Sequence, residues 1–264
     1  LYFKLIFKLK RGSYIKALVL DLLLHDIHLR LKKNKKPDFS TIFFNAGAHI
    51  QHHYFFSSKY VETPVRKLLN KKYIKSIDPF EDMMEVYDKI INDYFKLEES
   101  ELIIATGLSQ KPYDRLKFYW RLKDHQKFLN LLGVEYEKVY PRMTRDFLVE
   151  CKDNVMASEA EFKLKNIRIN NSEEKLFDYV DNRGSSLFVT LTYPNQIDKS
   201  SYFLFNDKKY DLYEYVTFVA IKNGMHDPTG YVYSSEKLIN FFPKHDFHVK
   251  ELNNIIEKYF FNSF

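Results

Sequence analysis

Residues 78–96 read DPFEDMMEVYDKIINDYFK, and this stretch decides the expected fold. Asp78 is suited to cap a helix, and Pro79 to occupy its first position, because proline has no N–H that needs a partner there. Two acidic residues follow in the first turn, where they complement the helix dipole. Apolar residues then recur at helical spacing along one face. The stretch therefore predicts an amphipathic helix that packs against a core.

Short apolar runs flank this helix on both sides. STIFFN (40–45) and LIIAT (102–106) are rich in β-forming residues, and polar residues follow each of them. Strand, helix and strand in this order predict a βαβ unit. We therefore expect an α/β fold with a mainly parallel central sheet flanked by helices, which binds ligands at the carboxyl ends of the strands. The segments 45–53 and 106–110 would lie at the same edge of that sheet.

The remaining sequence predicts a single α/β domain over residues 1–264, in which residues 1–36 form an amphipathic helical lead-in. Further strands are expected at 186–194 and 215–221, and a helix at the C-terminus. The chain begins with leucine and not with methionine, so we expect that the domain is incomplete at its N-terminus. The apolar run ALVLDLLL (17–24) is too short and too polar to predict a transmembrane segment.

Composition narrows the class of protein. The chain has 264 residues, of which 45% are hydrophobic and 17% aromatic, with only 7 glycines and 8 prolines, so a disordered or collagen-like chain is excluded.

The net charge of +6 fits either an ordinary solvated surface or a partner rich in phosphate or carboxylate. Lysines cluster at 31–36 and 68–75 without a nucleic-acid-binding module, so no nucleic acid is expected as a partner. The single cysteine, Cys151, excludes an internal disulfide and suits a reducing, cytoplasmic location.

Three histidines lie close together in FFNAGAHIQHHYFF (43–56). Asn45, His49 and His53 are spaced four residues apart, so a helical turn would place them on one face, whereas His52 would point elsewhere. Imidazole is a common metal ligand, and this face could form part of a metal site. The alternative is that the histidines are structural and pack among the surrounding aromatic residues.

Other candidate site residues follow further along the chain. His226 lies in KNGMHDPTGYV, whose glycines and proline indicate a sharp turn that could present a site residue. Gly107 in segment 106–110 could let backbone amides approach an anion. Arg142 and Arg145 in PRMTRDF are close enough to hold phosphate or sulfate, although an ion pair within that segment is the alternative.

In this order, the elements resemble the alkaline phosphatase superfamily, and in particular its type I phosphodiesterase and nucleotide pyrophosphatase branch. PDFSTIFFNAGAHIQHH (37–53) is similar to the strand and turn of that family, with Asn45 and His49 at its metal-binding Asp and His positions. LIIATGLSQ (102–110) occupies the place of its second metal-binding motif. NGMHDPTG is similar to the loop that carries a third metal-binding histidine, here His226.

The chain also departs from this family. Asn45 replaces a carboxylate, and Leu108 and Ser109 replace two metal ligands. The strand that carries the family's nucleophile would precede residue 1. The resemblance implies at most one site for a divalent metal, Zn or Mn. The expected metal ligands are Asn45, His49 and His226, and the expected catalytic residues are His53, Arg142 and Arg145.

These observations predict a divergent hydrolase or transferase that acts on a phosphate or sulfate ester, and surface-glycan metabolism or polysaccharide biosynthesis is its expected context. The alternative is a catalytically inactive protein of the same fold that binds a phosphorylated or sulfated small molecule or glycan, or serves as a scaffold. The residues do not distinguish phosphate from sulfate.

Overall fold

The polypeptide forms two structural units, and it leaves the first unit after Asp114 and returns to it at Asn223. The outer unit comprises Leu1–Asp114 and Asn223–Phe264, and the inserted unit is Arg115–Lys222. Each unit contains its own buried apolar side chains. The computed structural model describes residues 1–69, 77–97, 100–170, 172–206 and 208–262.

Helices and short strands occur in both units. In chain order, the α-helices of the described residues are α1 (Tyr2–Phe7), α2 (Tyr14–Lys35), α3 (Ala46–Tyr54), α4 (Phe80–Phe95), α5 (His125–Leu131), α6 (Asn154–Lys165), α7 (Leu212–Tyr215) and α8 (Glu251–Asn262). The strands of the same residues are β1 (Ile103–Ala105), β2 (Ser109–Pro112), β3 (Phe118–Leu122), β4 (Lys138–Pro141), β5 (Asp146–Glu150), β6 (Arg168–Ile169), β7 (Tyr179–Asn182), β8 (Ser186–Thr190), β9 (Tyr202–Phe205), β10 (Lys208–Asp211), β11 (Val216–Ile221), β12 (Gly224–Asp227) and β13 (Val232–Ser234).

The expected mainly parallel central sheet, and with it the alkaline phosphatase-like α/β fold, was wrong. Every strand pairing among the described residues is antiparallel. The outer unit contains the pairs β1–β13 and β2–β12. The inserted unit contains the pair β3–β11, the three-stranded sheet β10-β9-β6 and the four-stranded sheet β4-β5-β8-β7. Two antiparallel strands can be connected by a short turn, whereas two parallel strands need a long crossover connection.

The apolar run STIFFN (40–45), expected as the first strand, has no regular secondary structure. Phe43 is 79% exposed, so the run is not a buried strand. The buried carboxylate of Asp21 in α2 accepts hydrogen bonds from the N–H groups of Asn45 (3.3 Å) and Ala46 (2.9 Å), and α3 begins there. A side chain from α2 therefore holds the end of this segment at the start of α3, which the local apolar pattern could not reveal.

Helix α4 confirms the helix predicted over residues 78–96. The Asp78 carboxylate accepts a hydrogen bond from the Phe80 N–H at 3.1 Å and so supports the start of that helix. Strand β1 confirms the strand predicted in LIIAT, but it pairs Ile103 with Ser234 of β13. The partner of this strand thus follows it by more than a hundred residues, and helix α4 makes no parallel crossover to it.

Other predicted elements are also confirmed. The segments 186–194 and 215–221 contain strands β8 and β11, and the C-terminal helix is α8. None of the described helices is long and apolar enough to cross a membrane. Most of the lysine-rich segment 68–75 lies outside the described residues.

The core of the outer unit lies among helices α1 to α4. Helix α2 buries one face completely, because its apolar side chains recur three or four residues apart. Burial of each such side chain contributes about 1.5–3 kcal/mol relative to exposure. Fully buried apolar members of this core include Tyr14, Ile15, Leu18, Leu22, Ile50 and Val86.

The core of the inserted unit is aromatic. Phe128 of α5 lies within ring-contact distance of Phe177 and Phe203, at centroid separations of 5.8 and 5.6 Å. Strand β3 alternates between buried and half-buried positions: Trp120 is buried, whereas Tyr119 lies on the opposite face. This alternation places the Tyr119 ring outside the core, where it can contact polar groups.

Candidate functional site

Helix α3, which carries the histidine-rich segment, is anchored at its N-terminus by a buried polar network. Asp21 accepts the Ala46 N–H, and the Tyr87 hydroxyl donates to the same carboxylate at 3.0 Å. The Gly47 N–H in turn donates to the Tyr87 hydroxyl oxygen at 2.7 Å. Burial, together with the Asp21 charge, raises the Tyr87 pKa well above its usual range. Since helix N-termini leave N–H groups unpaired, this network fixes where α3 begins.

Strands β2 and β12 pack beside α3 in the outer unit. The register pairs His226 with Gln110, and the Gln110 amide donates to the Ala48 carbonyl oxygen of α3 at 3.4 Å. Gly224 is needed for this close approach, because a Cβ atom there would lie 2.7 Å from the Gln51 carbonyl oxygen. The backbone of β12 therefore lies directly against α3 and brings His226 to the helix.

His52 and His226 form a pair across this contact. Their Nε2 atoms are 3.2 Å apart, and their rings are tilted by 56° with centroids 5.1 Å apart. His52 Nδ1 lies 3.3 Å from the Gly224 carbonyl oxygen. Because a carbonyl oxygen only accepts, this contact assigns a proton to Nδ1 of His52, and in the neutral tautomer Nε2 then presents its lone pair. The His226 Nε2–H is then the donor between the two rings.

The face predicted from Asn45, His49 and His53 is only partly assembled. The His49 and His53 rings are neighbours on α3, with centroids 4.8 Å apart. Asn45 precedes the helix and binds Asp21 through its backbone N–H. His226 contacts His52. Within the described residues, no group of three or more His, Cys, Asp or Glu side chains is arranged to hold a metal ion.

The two predicted arginines lie in the inserted unit and have different surroundings. Arg142 is exposed, and its backbone N–H donates to the Asp146 carbonyl oxygen at 2.8 Å in the turn between β4 and β5. The Arg145 guanidinium carbon lies 4.1 Å from the centre of the Tyr119 ring, and its Nη1 donates to the Leu191 carbonyl oxygen at 3.1 Å. Arg145 is therefore held in place, whereas Arg142 is a surface residue of the turn.

Two lysines approach the same aromatic ring. Lys222 Nζ lies 5.5 Å and Lys117 Nζ 6.0 Å from the Tyr119 ring centre. The backbones of these lysines are neighbours, because the Lys222 N–H donates to the Lys117 carbonyl oxygen at 2.9 Å. We call Lys117, Arg145, Lys222 and Tyr119 the basic cluster. Three cationic side chains from three distant segments thus share one aromatic ring.

The cluster is electrostatically unfavourable for its own lysines. Burial lowers the Lys222 pKa, and the positive charges of Arg145 and Lys117 lower it further. Burial likewise lowers the Lys117 pKa, with additional repulsion from Arg145 and Arg115. Positively charged groups are therefore concentrated where water solvates them less well, and a negatively charged ligand would relieve their repulsion.

The predicted anion-binding segment 106–110 is used for strand pairing. The Thr106 N–H donates to the Tyr231 carbonyl oxygen at 2.8 Å, and the Thr106 hydroxyl accepts the Tyr231 N–H at 2.9 Å. Ser109 and Gln110 belong to β2. The amide and the hydroxyl of Thr106 are thus both hydrogen-bonded to the backbone of Tyr231.

Sequence reasoning missed His52, Lys117, Tyr119 and Lys222. Alternation along residues 118–122 could have placed Tyr119 outside the core, since bulky apolar residues occupy every second position. Nothing local links Lys117 with Lys222, because their proximity depends on the antiparallel pairing of β3 with β11. Likewise, His52 meets His226 only through the register of β12.

Comparisons with protein-family models, with curated proteins and with solved structures found no match. The resemblance to the alkaline phosphatase superfamily therefore rests on sequence motifs alone, and the antiparallel sheets do not have that fold.

Proposed function

We propose that the protein binds a phosphorylated or sulfated small molecule or glycan through the basic cluster of the inserted unit. The observation that carries this proposal is the convergence of Lys117, Arg145 and Lys222 around the Tyr119 ring. Phosphate and sulfate groups are compact, strongly charged and rich in acceptor oxygens. They match a cluster that supplies several N–H donors and positive charge.

Each cation has a distinct part in this proposal. Arg145 stacks on Tyr119 and is tethered to Leu191 through one nitrogen, which leaves other guanidinium N–H groups to donate to ligand oxygens. Its planar fork can hold two oxygens of one anion. Lys117 and Lys222 act as point charges beside it. Preorganisation by the ring and the backbone reduces the entropy lost on binding.

Binding is favoured over hydrolysis as the proposed activity. The hydrolase or transferase expected from the sequence was placed on an alkaline phosphatase-like fold with a mainly parallel sheet, and the described residues form antiparallel sheets instead. The basic cluster offers charge and hydrogen-bond donors, which are the requirements for anion recognition. A ligand at this site would also raise both lysine pKa values, because its negative charge stabilises the protonated amines.

Isothermal titration calorimetry tests the proposal. Inorganic phosphate, inorganic sulfate, glycerol phosphate and a sulfated oligosaccharide are titrated into the full chain, with chloride at matched ionic strength as the reference. We expect saturable binding of at least one of these anions. Removal of a charge-assisted hydrogen bond costs about 1.5–3 kcal/mol, so Arg145→Ala should weaken binding by about tenfold or more.

Variants separate a specific site from general attraction to a basic protein. Lys222→Gln should also weaken binding, and Arg145→Lys should retain part of it because charge is kept without the planar fork. Lys138→Gln is the matched control, since Lys138 is an exposed lysine of β4 in the same unit. Absence of saturable binding, or equal losses in Lys138→Gln and Lys222→Gln, would refute the proposal.

A further inference from the structure

We infer that His52 and His226 in the outer unit form a two-ligand site for a transition-metal ion of the zinc, cobalt, nickel and copper class. This site is separate from the basic cluster and does not depend on the proposed function. It also differs from the metal site expected from the sequence, which combined His226 with Asn45 and His49.

The distance between the two imidazoles suits chelation. Zn–N bonds are about 2.0–2.1 Å long, so two nitrogens at a tetrahedral angle lie about 3.4 Å apart. The Nε2 atoms of His52 and His226 are 3.2 Å apart. An ion placed beside both nitrogens would therefore require little movement of either ring. Chelation replaces the hydrogen bond between the rings with two coordinate bonds, and the His226 proton moves from Nε2 to Nδ1 so that both Nε2 atoms are unprotonated.

The surroundings of His52 prepare it as a ligand. Its Nδ1–H points to the Gly224 carbonyl oxygen at 3.3 Å, and this leaves Nε2 as the coordinating atom. Partners of this kind fix the tautomer and orientation of metal-bound histidines. The Gly224 backbone lies against α3, so the same contact that orients His52 also positions His226. The two ligands are therefore set by backbone packing.

The ligand set indicates the class of metal. Neutral imidazole favours zinc, copper, nickel and cobalt, whereas magnesium and calcium prefer oxygen ligands. The described residues contain no third His, Cys, Asp or Glu arranged with this pair to hold the ion. Water or an added ligand would fill the other positions, and the exposed side chain of His226 leaves room for it. Such an ion would join α3 to β12.

Metal titration of the full chain tests this inference. Zn²⁺ binding is measured by calorimetry, and Co²⁺ is added separately because its visible absorption reports the coordination geometry. We expect one bound ion, a visible Co²⁺ absorption that is stronger and lies at longer wavelength than that of aqueous Co²⁺, and a higher melting temperature with Zn²⁺. EDTA should reverse all three changes, and acid should weaken binding because protons compete for the imidazoles.

Histidine variants assign the site. His226→Gln is the preferred variant because this side chain is exposed and its loss should leave the fold intact. It should weaken Zn²⁺ binding by about tenfold or more, a scale reached even when a supporting partner alone is lost. His52→Ala should do the same. His245→Gln, which changes another exposed histidine of the outer unit, should bind Zn²⁺ like the unmodified protein.

The neighbouring pair His49 and His53 supplies the competing explanation. These histidines lie four residues apart on α3 with their rings 4.8 Å apart, a spacing that can also chelate an ion. If His49→Ala abolishes Zn²⁺ binding while His226→Gln retains it, the inference is wrong. The absence of any Zn²⁺ binding by the unmodified protein would overturn it equally.

Discussion

The histidine pair of the outer unit and the basic cluster of the inserted unit are positioned by different forces. His52 and His226 meet because backbones pack closely: Asp21 fixes the start of α3, and Gly224 permits contact with it. In the basic cluster, side chains of like charge are held around Tyr119 despite their repulsion. The first site should therefore respond most to changes in packing, and the second to changes in charge and pH.

The largest expected effect concerns the anchor of α3. Asp21→Ala removes a carboxylate that is only 3% exposed and leaves the N–H of Ala46 and the hydroxyl of Tyr87 without this acceptor. We expect the free energy of unfolding to fall by about 3 kcal/mol, because each unsatisfied buried group costs about 1–3 kcal/mol. Urea denaturation followed by circular dichroism measures this change.

Two controls accompany this variant. Asp38→Ala removes an exposed carboxylate of the same unit and should change stability by less than about 0.5 kcal/mol. The single tryptophan, Trp120, lies in the inserted unit, so its fluorescence reports the unfolding of that unit. Equal stability of Asp21→Ala and the unmodified protein would show that the buried network does not fix α3.

A smaller effect is expected from Gly224→Ala. The added methyl group would lie 2.7 Å from the Gln51 carbonyl oxygen, so β12 must move away from α3. Overpacking of this kind costs about 1–3 kcal/mol, and the separation of His52 from His226 should also weaken Zn²⁺ binding. Thermal denaturation and zinc calorimetry check both results.

Gly107→Ala is the matched control for this glycine. Its added methyl group would meet the Val249 Cγ2 atom at 3.7 Å, which is an ordinary contact. Stability and Zn²⁺ binding should therefore be nearly unchanged. If Gly107→Ala and Gly224→Ala have the same stability and the same Zn²⁺ binding, close backbone approach does not position the histidine pair.

The basic cluster should instead be detectable through the pH dependence of the free energy of unfolding. The folded-state pKa values of Lys117 and Lys222 lie below the ordinary value of 10.5. Between the folded and unfolded pKa values, the unfolded chain binds more protons, so stability rises with pH across that window. Arg145→Gln removes a repelling charge and should raise both pKa values and flatten this rise. NMR titration of the lysine side chains and denaturation monitored by Trp120 test the shift.

The smallest effect is expected for Arg142→Ala. Arg142 is exposed in the turn between β4 and β5, whereas Arg145 stacks on Tyr119. Stability should change by less than about 0.5 kcal/mol, as for most surface substitutions. Anion binding should be nearly unchanged under conditions where Arg145→Ala weakens it. A similar loss of anion binding in both variants would indicate that the two arginines belong to one shared site.

The sequence predicted individual elements better than their arrangement. Periodicity located α4, β1, β8, β11 and α8, because hydrophobic spacing is a local property. It did not identify the partner of β1, since Ile103 pairs with Ser234 through a contact distant along the chain. The segment 40–45 looked like a strand because its apolar residues suit one, but Asp21 binds the amides of Asn45 and Ala46 at its end.

The candidate sites were predicted in part for the same reason. His226 and Arg145 were recognised individually, as residues whose side chains suit metal and anion binding. Their contacts with His52 and Tyr119 could not be identified, because β12 packs against α3 and Arg145 stacks on Tyr119 through tertiary contacts. Residue type suggested the chemistry, and tertiary packing determined the partners.

The most direct test of anion binding is the titration of Lys117 and Lys222 by NMR with and without sulfate, at constant ionic strength. We expect sulfate to raise the pKa of both lysines, because the bound anion stabilises their protonated forms. Unchanged pKa values for Lys117 and Lys222 at high sulfate concentration would contradict the proposal that the basic cluster binds this class of ligand.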